Sequence, residues 1–374
     1  MRKKKIRIGI LTHNYPSNHS DRKDAGIFIH DFANELAKYS KVFIFCPDFG
    51  GKKERYKKVP VTWFNWGKDN TKFGNWKLYN PIYIYKFFKM LFIGQKEATN
   101  FARINKLDYC VACWTIPSAI FALIIKIKLK IPYAVWSLGS DVNKYSKIPI
   151  LSQLIHLSLR LANKRYANSH LLCDKVENIS GKRCKFMPAI TNFKLAKISK
   201  VSLNKKEVNL LFVGRLEKVK GADTLIDAIK LAKNQKTISL NILGDGSERN
   251  ALEKKAPKRI VKFRGWADES MVGGYMKESD CLVIPSRNES LPLVIIEASK
   301  LKLPVIATKV GDCERIIKKY KIGISVEKEN PQALAKAIDY VSNNKLNKKK
   351  MLFKKLTTDF SQEKTVKNFL KEIL

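Results

Sequence analysis

Short apolar runs alternate with stretches of helical spacing along nearly the whole chain. Lys5 to Leu11 reads as a first strand, and apolar runs near Val42, Tyr109, Ala134 and Ala167 read as further strands of the amino half. Runs near Leu211, Leu240, Val261, Leu282 and Val305 do the same for the carboxyl half. Between them, Ile27, Phe28, Phe32 and Leu36 have the spacing of an amphipathic helix, as does Ala222 to Lys233. Val208 to Val213 is apolar nearly throughout, the pattern of a strand covered on both faces. Strand and helix in alternation predict parallel sheets with right-handed crossovers, here two of them. The fold class expected is therefore α/β, with two Rossmann-like, doubly wound domains. A strand ends at Lys185-Phe186-Met187-Pro188 and a polar, lysine-rich stretch follows to Lys206. That places domains at 1–188 and 189–358, with a terminal helix at 359–374 drawn from the apolar stripe of Phe360 to Leu374.

Candidate chemistry concentrates in the carboxyl half. In Glu289-Ser290-Leu291-Pro292-Leu293-Val294-Ile295-Ile296-Glu297, Pro292 suits the first position of a helix because its φ is preset and it lacks an N–H. Glu289 then lies in the entering loop and Glu297 in the second turn. Five residues of rise carry Glu297 roughly 7 to 8 Å along the axis, about the span from a diphosphate to the hydroxyls of a ribose. A capping glutamate followed by a solvated one has the same pattern. Upstream, Val213-Gly214-Arg215-Leu216-Glu217-Lys218-Val219-Lys220-Gly221 places Arg215 and Lys220 on the loop at the carboxyl end of a strand, the edge where open α/β sheets bind ligands. Two fixed cations there could neutralise a diphosphate leaving group; a solvated basic loop is the plainer alternative.

Together the two segments resemble the retaining family-four glycosyltransferases of the GT-B fold. The family's Gly-Arg-Leu…Lys-Gly loop is matched by Gly214, Arg215, Leu216, Lys220 and Gly221, and its Glu-x7-Glu motif by Glu289 and Glu297. The likeness continues through Leu243-Gly244-Asp245-Gly246, Phe263-Arg264-Gly265, Val283-Ile284-Pro285-Ser286 and Pro304-Val305-Ile306-Ala307-Thr308. The resemblance implies two domains facing a cleft, with the terminal helix crossing back to the first. It implies a nucleotide-diphosphate sugar as donor, with uridine diphosphate favoured, and a glycan or lipid-linked acceptor. It further implies that Arg215 and Lys220 bind the diphosphate, Glu297 the ribose and Glu289 a donor-sugar hydroxyl, with backbone N–H groups near Ser290, Leu291, Leu293 and Val294 holding phosphate. Arg215, Lys220 and Glu289 are the candidate catalytic residues. No metal or cofactor is expected, and the leaving phosphate would take the acceptor's proton.

Three positions depart from the family pattern. Pro292 replaces a residue that is often glycine. A glycine pair usual after the first strand is here Ala25-Gly26, leaving Gly26 as the donor-binding candidate, or a glycine of the turn alone. In Val135-Trp136-Ser137-Leu138-Gly139-Ser140-Asp141, Leu138 stands where many relatives carry a histidine that reaches the donor sugar. Leucine can neither donate nor accept a hydrogen bond. Asp141 is a candidate acceptor or sugar contact, or a helix cap, and His13 could fill the vacancy.

Composition narrows the partners. A chain of 374 residues that is 45% hydrophobic fits two to three globular domains. The net charge is +39, with the greater part in residues 1–190, so polyanions are attracted. Nucleic acid is not expected, because none of the usual binding motifs is present. An anionic membrane surface fits better: Ile82 to Ile93 is apolar and aromatic apart from Lys86 and Lys89, which share a helical face with Lys96. A buried helix of the first domain is the alternative there. Seven cysteines without a secretory leader point to a reducing, cytoplasmic setting, with the protein peripheral on the inner face of the plasma membrane. Cys110-Val111-Ala112-Cys113 has redox spacing but lies in an apolar strand, where a structural role is expected. A non-catalytic glycan- or nucleotide-binding protein and a nucleotide-sugar epimerase stay open as rival functions.

Overall fold

The computed structural model describes residues 5–16, 26–50, 58–67, 73, 76, 80–192, 198–344, 346 and 348–374. Two compact units divide the chain: Met1–Asn192 with Gln362–Leu374, and Phe193–Ser361.

The first unit holds seven strands, β1 (Arg7–Leu11), β2 (Lys41–Pro47), β3 (Val61–Phe64), β4 (Tyr109–Cys113), β5 (Tyr133–Ser137), β6 (Lys164–Ala167) and β7 (Lys185–Phe186), in spatial order β3-β2-β1-β4-β5-β6-β7. Every strand pairing among the described residues of this sheet is parallel, for example Ile8 with Val42 and Ile8 with Tyr109. Its helices are α1 (Ile27–Leu36), α2 (Pro81–Ile104), α3 (Ser118–Leu129), α4 (Ser140–Asn143), α5 (Pro149–Arg160) and α6 (His170–Ser180). One face of the sheet buries Phe45, Cys110, Ala112 and Tyr133 against α2, α3 and α5. The other buries Ile8, Ile10, Val42, Val111 and Trp136 against α1. Burial on both faces is why these strands read as continuous apolar runs.

The second unit repeats the plan with β8 (Val208–Val213), β9 (Ile238–Leu243), β10 (Val261–Gly265), β11 (Cys281–Ile284), β12 (Val305–Thr308) and β13 (Gly323–Val326), ordered β10-β9-β8-β11-β12-β13 and all parallel. Between and after them run α7 (Ala222–Leu231), α8 (Arg249–Lys255), α9 (Glu269–Glu278), α10 (Leu293–Lys300), α11 (Cys313–Tyr320), α12 (Pro331–Asn343) and α13 (Phe353–Asp359). The last helix, α14 (Gln362–Ile373), belongs to the first unit: Val366, Phe369 and Leu370 are buried there, and Tyr166 donates to Glu372. The Asn192 amide donating to Asp31, and the Gln362 side-chain amide donating to the Ile190 carbonyl, tie both ends of the crossing to that unit.

Two details differ from expectation. The Ala222 helix ends at Leu231, where Ala232 turns extended. Pro292 is the N-cap of α10 and not its first residue, with φ −71° and ψ 117°, so the helix begins one residue later. Proline's φ suits both places, and it is the extended ψ that keeps this one outside the helix.

Candidate functional site

In each sheet the strand order reverses once, between β1 and β4 in the first unit and between β8 and β11 in the second. Loops leaving neighbouring strands at such a reversal run apart, and the crevice they leave outside the strand ends is where open α/β sheets take ligands. In the second unit those loops are the ones that carry the candidate residues.

The loop after β8 is built by close packing. Gly244 has φ +140°, and a Cβ there would sit 1.8 Å from the Gly214 carbonyl oxygen; one on Gly246 would sit 2.5 Å from that of Leu216. The Gly-x-Gly that follows β9 is thus spent on packing against Gly214 to Leu216, with the Leu216 amide donating to the Asp245 carbonyl. A 3-10 turn at Lys218–Lys220 then hands the chain to α7 through Gly221, which has φ +68° and lies against the Pro285 carbonyl of the loop after β11.

Lys220 and Glu289 meet across these two loops. Lys220 Nζ is 2.5 Å from Glu289 Oε1, with the side chains 26% and 14% exposed, and Ser286 Oγ donates to the same carboxylate oxygen at 3.1 Å. The pair is half-buried at the entry to α10. No side chain caps that helix; the Ile295 amide donates to the Pro292 carbonyl, and the Leu293 and Val294 amides lie ahead of the helix's own hydrogen-bond ladder, the kind of end that attracts an anion, here beside a lysine. Leu293 and Val294 supply that turn, half-buried, while Leu291 is buried. The Ser290 carbonyl accepts from the Asp312 amide, and Gly311 (φ +52°) packs on the Glu289 and Ser290 carbonyls, so the loop after β12 holds this one from behind.

Other candidates lie differently. The Arg215 side chain is 73% exposed and ion-paired with Glu217 at 2.7 Å, pointing a cation into solvent from the same loop. Glu297 is half-buried in the second turn of α10. Gly26 is the N-cap of α1, and a Cβ on it would lie 2.5 Å from the Asn14 carbonyl oxygen, so its smallness serves a contact within the first unit. Asp24 and Ala25 lie outside the described residues.

One strand over from the reversal in the first unit, after β5, Asp141 is 1% exposed and its carboxylate is fully engaged. Oδ2 accepts from the amide and hydroxyl of Thr115 at 2.7 and 2.9 Å, and Oδ1 from the amides of Gly139 and Leu138 at 2.9 and 3.3 Å. Burial pushes its pKa up and those donors pull it down; burial is the larger effect. In this state Asp141 orders the loops after β4 and β5. Leu138 packs half-buried beside the cluster containing Trp114 and Trp136. His13 is buried 4.8 Å from the Phe73 ring and 4.4 Å from that of Trp114, and its Nδ1 has no partner among the described residues. Burial lowers its pKa from 6.5 to about 3, so it is a neutral imidazole. Cys110 and Cys113 are fully buried, and burial pushes the Cys110 thiol up to about 12.

Arg287 also belongs to this site and gave no signal in the sequence, whereas Ser286 was marked only as part of a family-like segment. The partners of Arg287 are Lys218, Asp223, Thr224 and Glu329, all far from it in sequence, and nothing local marks an arginine in a lysine-rich chain.

Two parallel α/β sheets, with a lysine and a glutamate facing each other at a strand-order reversal beside an uncapped helix, define a doubly wound α/β protein. Residues 194–357 match the family model described as Glycosyl transferases group 1. The chain is 36% identical over 160 residues to an uncharacterized 41.2 kDa protein in the cps region of Klebsiella pneumoniae, covering 42% of this chain and 44% of that protein. It is 29% identical over 245 residues to the putative teichuronic acid biosynthesis glycosyltransferase TuaC of Bacillus subtilis, covering 62% of this chain and 60% of that one. The aligned segments thus span about half the length of these two relatives. The structure of HepE from Anabaena in complex with UDP superposes with a TM-score of 0.72 at 16% identity, covering 98% of both chains. That likeness establishes the GT-B fold.

Proposed function

We propose that the protein is a retaining, metal-independent glycosyltransferase that moves a hexosyl or N-acetylhexosaminyl group from a nucleoside-diphosphate sugar, UDP-linked by preference, to a glycan or lipid-linked acceptor in surface polysaccharide synthesis. The observation that carries this reading is the Lys220–Glu289 pair at the uncapped start of α10. It joins a cation for a diphosphate to a carboxylate for a sugar hydroxyl within one crevice. The family match, UDP in the HepE complex and the polysaccharide role in TuaC's name all support it.

Chemistry at such a site is mostly placement and charge. Lys220 and Arg215 would stabilise the negative charge that grows on the departing diphosphate, the first-turn amides of α10 would add their dipoles, and Glu297 would take the ribose hydroxyls. Charge that grows in the transition state makes cation removal weigh more on rate than on ground-state binding. Arg215→Ala and Lys220→Ala should each lower kcat by roughly 100-fold or more while changing donor affinity less. Near-normal kcat in both would overturn the assignment.

The acceptor partner we propose is presented at an anionic membrane surface, with the protein cytoplasmic and peripheral. No helix among the described residues is long and apolar enough to cross a membrane. Yet α2 leaves Ile82, Tyr85 and Phe92 at 61%, 68% and 74% exposed, next to exposed Lys89 and Lys96, while Phe87, Met90 and Phe101 anchor its opposite side. Exposed aromatics with lysines suit a headgroup layer, where each lysine contributes about 1 kcal/mol. Changing Lys86, Lys89 and Lys96 to Glu should reduce co-sedimentation with anionic vesicles at low salt and leave UDP binding unaltered; equal co-sedimentation would refute the docking face.

A further inference from the structure

We propose that Arg287 is the positioning residue of this site: it locks the loop bearing Arg215 and Lys220 against the loop bearing Glu289. The proposal rests on the functional reading above for what the loops bind, and on geometry alone for how they are held.

An arginine side chain has five N–H donors in a rigid fork. All five are used here. Nε donates to Glu329 Oε1 at 3.0 Å; Nη1 donates to the Lys218 carbonyl at 2.6 Å and to Asp223 Oδ1 at 2.7 Å; Nη2 donates to Asp223 Oδ2 at 2.8 Å and to Thr224 Oγ1 at 3.3 Å. The backbone amide of Arg287 adds a bond to the Val219 carbonyl at 2.8 Å. Lys218 and Val219 belong to the 3-10 turn that ends in Lys220, Asp223 and Thr224 to the first turn of α7, and Glu329 to the loop after β13. Arg287 therefore joins three loop regions at one sheet edge, two residues before Glu289.

Saturation decides the role. With every donor engaged and the side chain only 19% exposed, Arg287 has no hydrogen left for a ligand, so it acts through Lys220 and Glu289. The short distance between those two side chains needs the two loops in fixed register, and the Gly221 to Pro285 contact shows how little slack they have. Lysine at 287 would keep the charge but has three donors and no fork, so it could not grip Asp223 with two prongs and Lys218 as well.

Hydrogen exchange and UDP titration on wild type, Arg287→Lys, Arg287→Ala and Asp223→Asn test this. Expected in Arg287→Lys is faster exchange across residues 214–221 without ligand, unchanged exchange in β8, and UDP affinity lower by about tenfold, the equivalent of one lost charge-assisted hydrogen bond. Asp223→Asn should move both readings the same way by less, and Arg287→Ala by more. A merely structural arginine would raise exchange across the whole second unit, so a uniform rise overturns the proposal. Wild-type exchange at 214–221 in Arg287→Lys, or UDP affinity within twofold of wild type, overturns it too. If wild-type protein binds no UDP, the functional reading fails and the exchange arm still decides Arg287.

Discussion

Replacing Glu289 with glutamine isolates what its carboxylate does to the lysine it holds. In the free protein Lys220 is already occupied: Glu289 Oε1 is 2.5 Å away, and the pair is shielded enough that solvent screens it incompletely. A diphosphate that recruits Lys220 must draw it from Glu289 or share it, with a negative charge left alongside. A hydrogen bond to a charged group contributes about 1.5 to 3 kcal/mol, and partial exposure reduces that to roughly 1 to 2 kcal/mol. The neutral amide should return this to the ligand, so Glu289→Gln should bind UDP roughly 5- to 30-fold tighter than wild type. The same variant should lose the extra affinity that the sugar adds to a UDP-sugar, and should transfer poorly, because an amide oxygen is a weaker acceptor than a carboxylate for a sugar hydroxyl. Calorimetry with UDP and with the UDP-sugar measures both. In a Lys220→Met background, Glu289→Gln should have little effect on UDP, since the competition is gone. UDP affinity unchanged or weaker in the single variant would refute the reasoning.

Glu297→Ala should weaken UDP and UDP-sugar equally, because a ribose contact is common to both; selective loss of the sugar nucleotide in calorimetry would reassign Glu297. His13 should make the first unit sensitive to acid. Its folded pKa of about 3 lies below the ordinary 6.5, so as pH falls through 6.5 the unfolded chain takes up a proton that the folded one refuses. Its contribution is complete above about pH 6.5 and is lost toward pH 3, at about 1.4 kcal/mol per pH unit inside that window. Urea unfolding at pH 6.5 and 5.0 should show wild type losing about 2 kcal/mol more than His13→Phe; equal losses would mean that His13 is protonated in the fold.

Both sheets were legible because their strands are buried on two faces and so read as unbroken apolar runs. The places of Arg215, Lys220 and Glu289 on loops after strands, and of Glu297 in the second turn of a helix, were legible because each follows a local apolar run or a helix start. β3 and β13 escaped notice: each has four residues, of which Val61-Thr62-Trp63 and Gly323-Ile324-Ser325 are half-buried or exposed, so neither forms an apolar run. The binding of Asp141 was hidden because its main donor, Thr115, lies 26 residues upstream. Arg287 was hidden for the same reason, its carboxylate partners being 64 residues before it and 42 after. Periodicity reports which face a residue takes and caps report where a helix starts; neither reports which distant carboxylate a side chain will meet.

The central claim is that the Lys220–Glu289 crevice handles a nucleoside-diphosphate sugar and turns it over. Pure protein incubated with a panel of uridine- and guanosine-diphosphate sugars, with and without lipid-linked acceptors, and followed by mass detection of the released nucleotide and sugar product, tests it directly. The account predicts that one donor is consumed, slowly by hydrolysis alone and faster with an acceptor, and that Lys220→Ala lowers both rates by roughly 100-fold or more. Donor binding with no turnover of any sugar nucleotide, by wild-type protein across the full panel, would contradict it and leave a binding protein of the same fold.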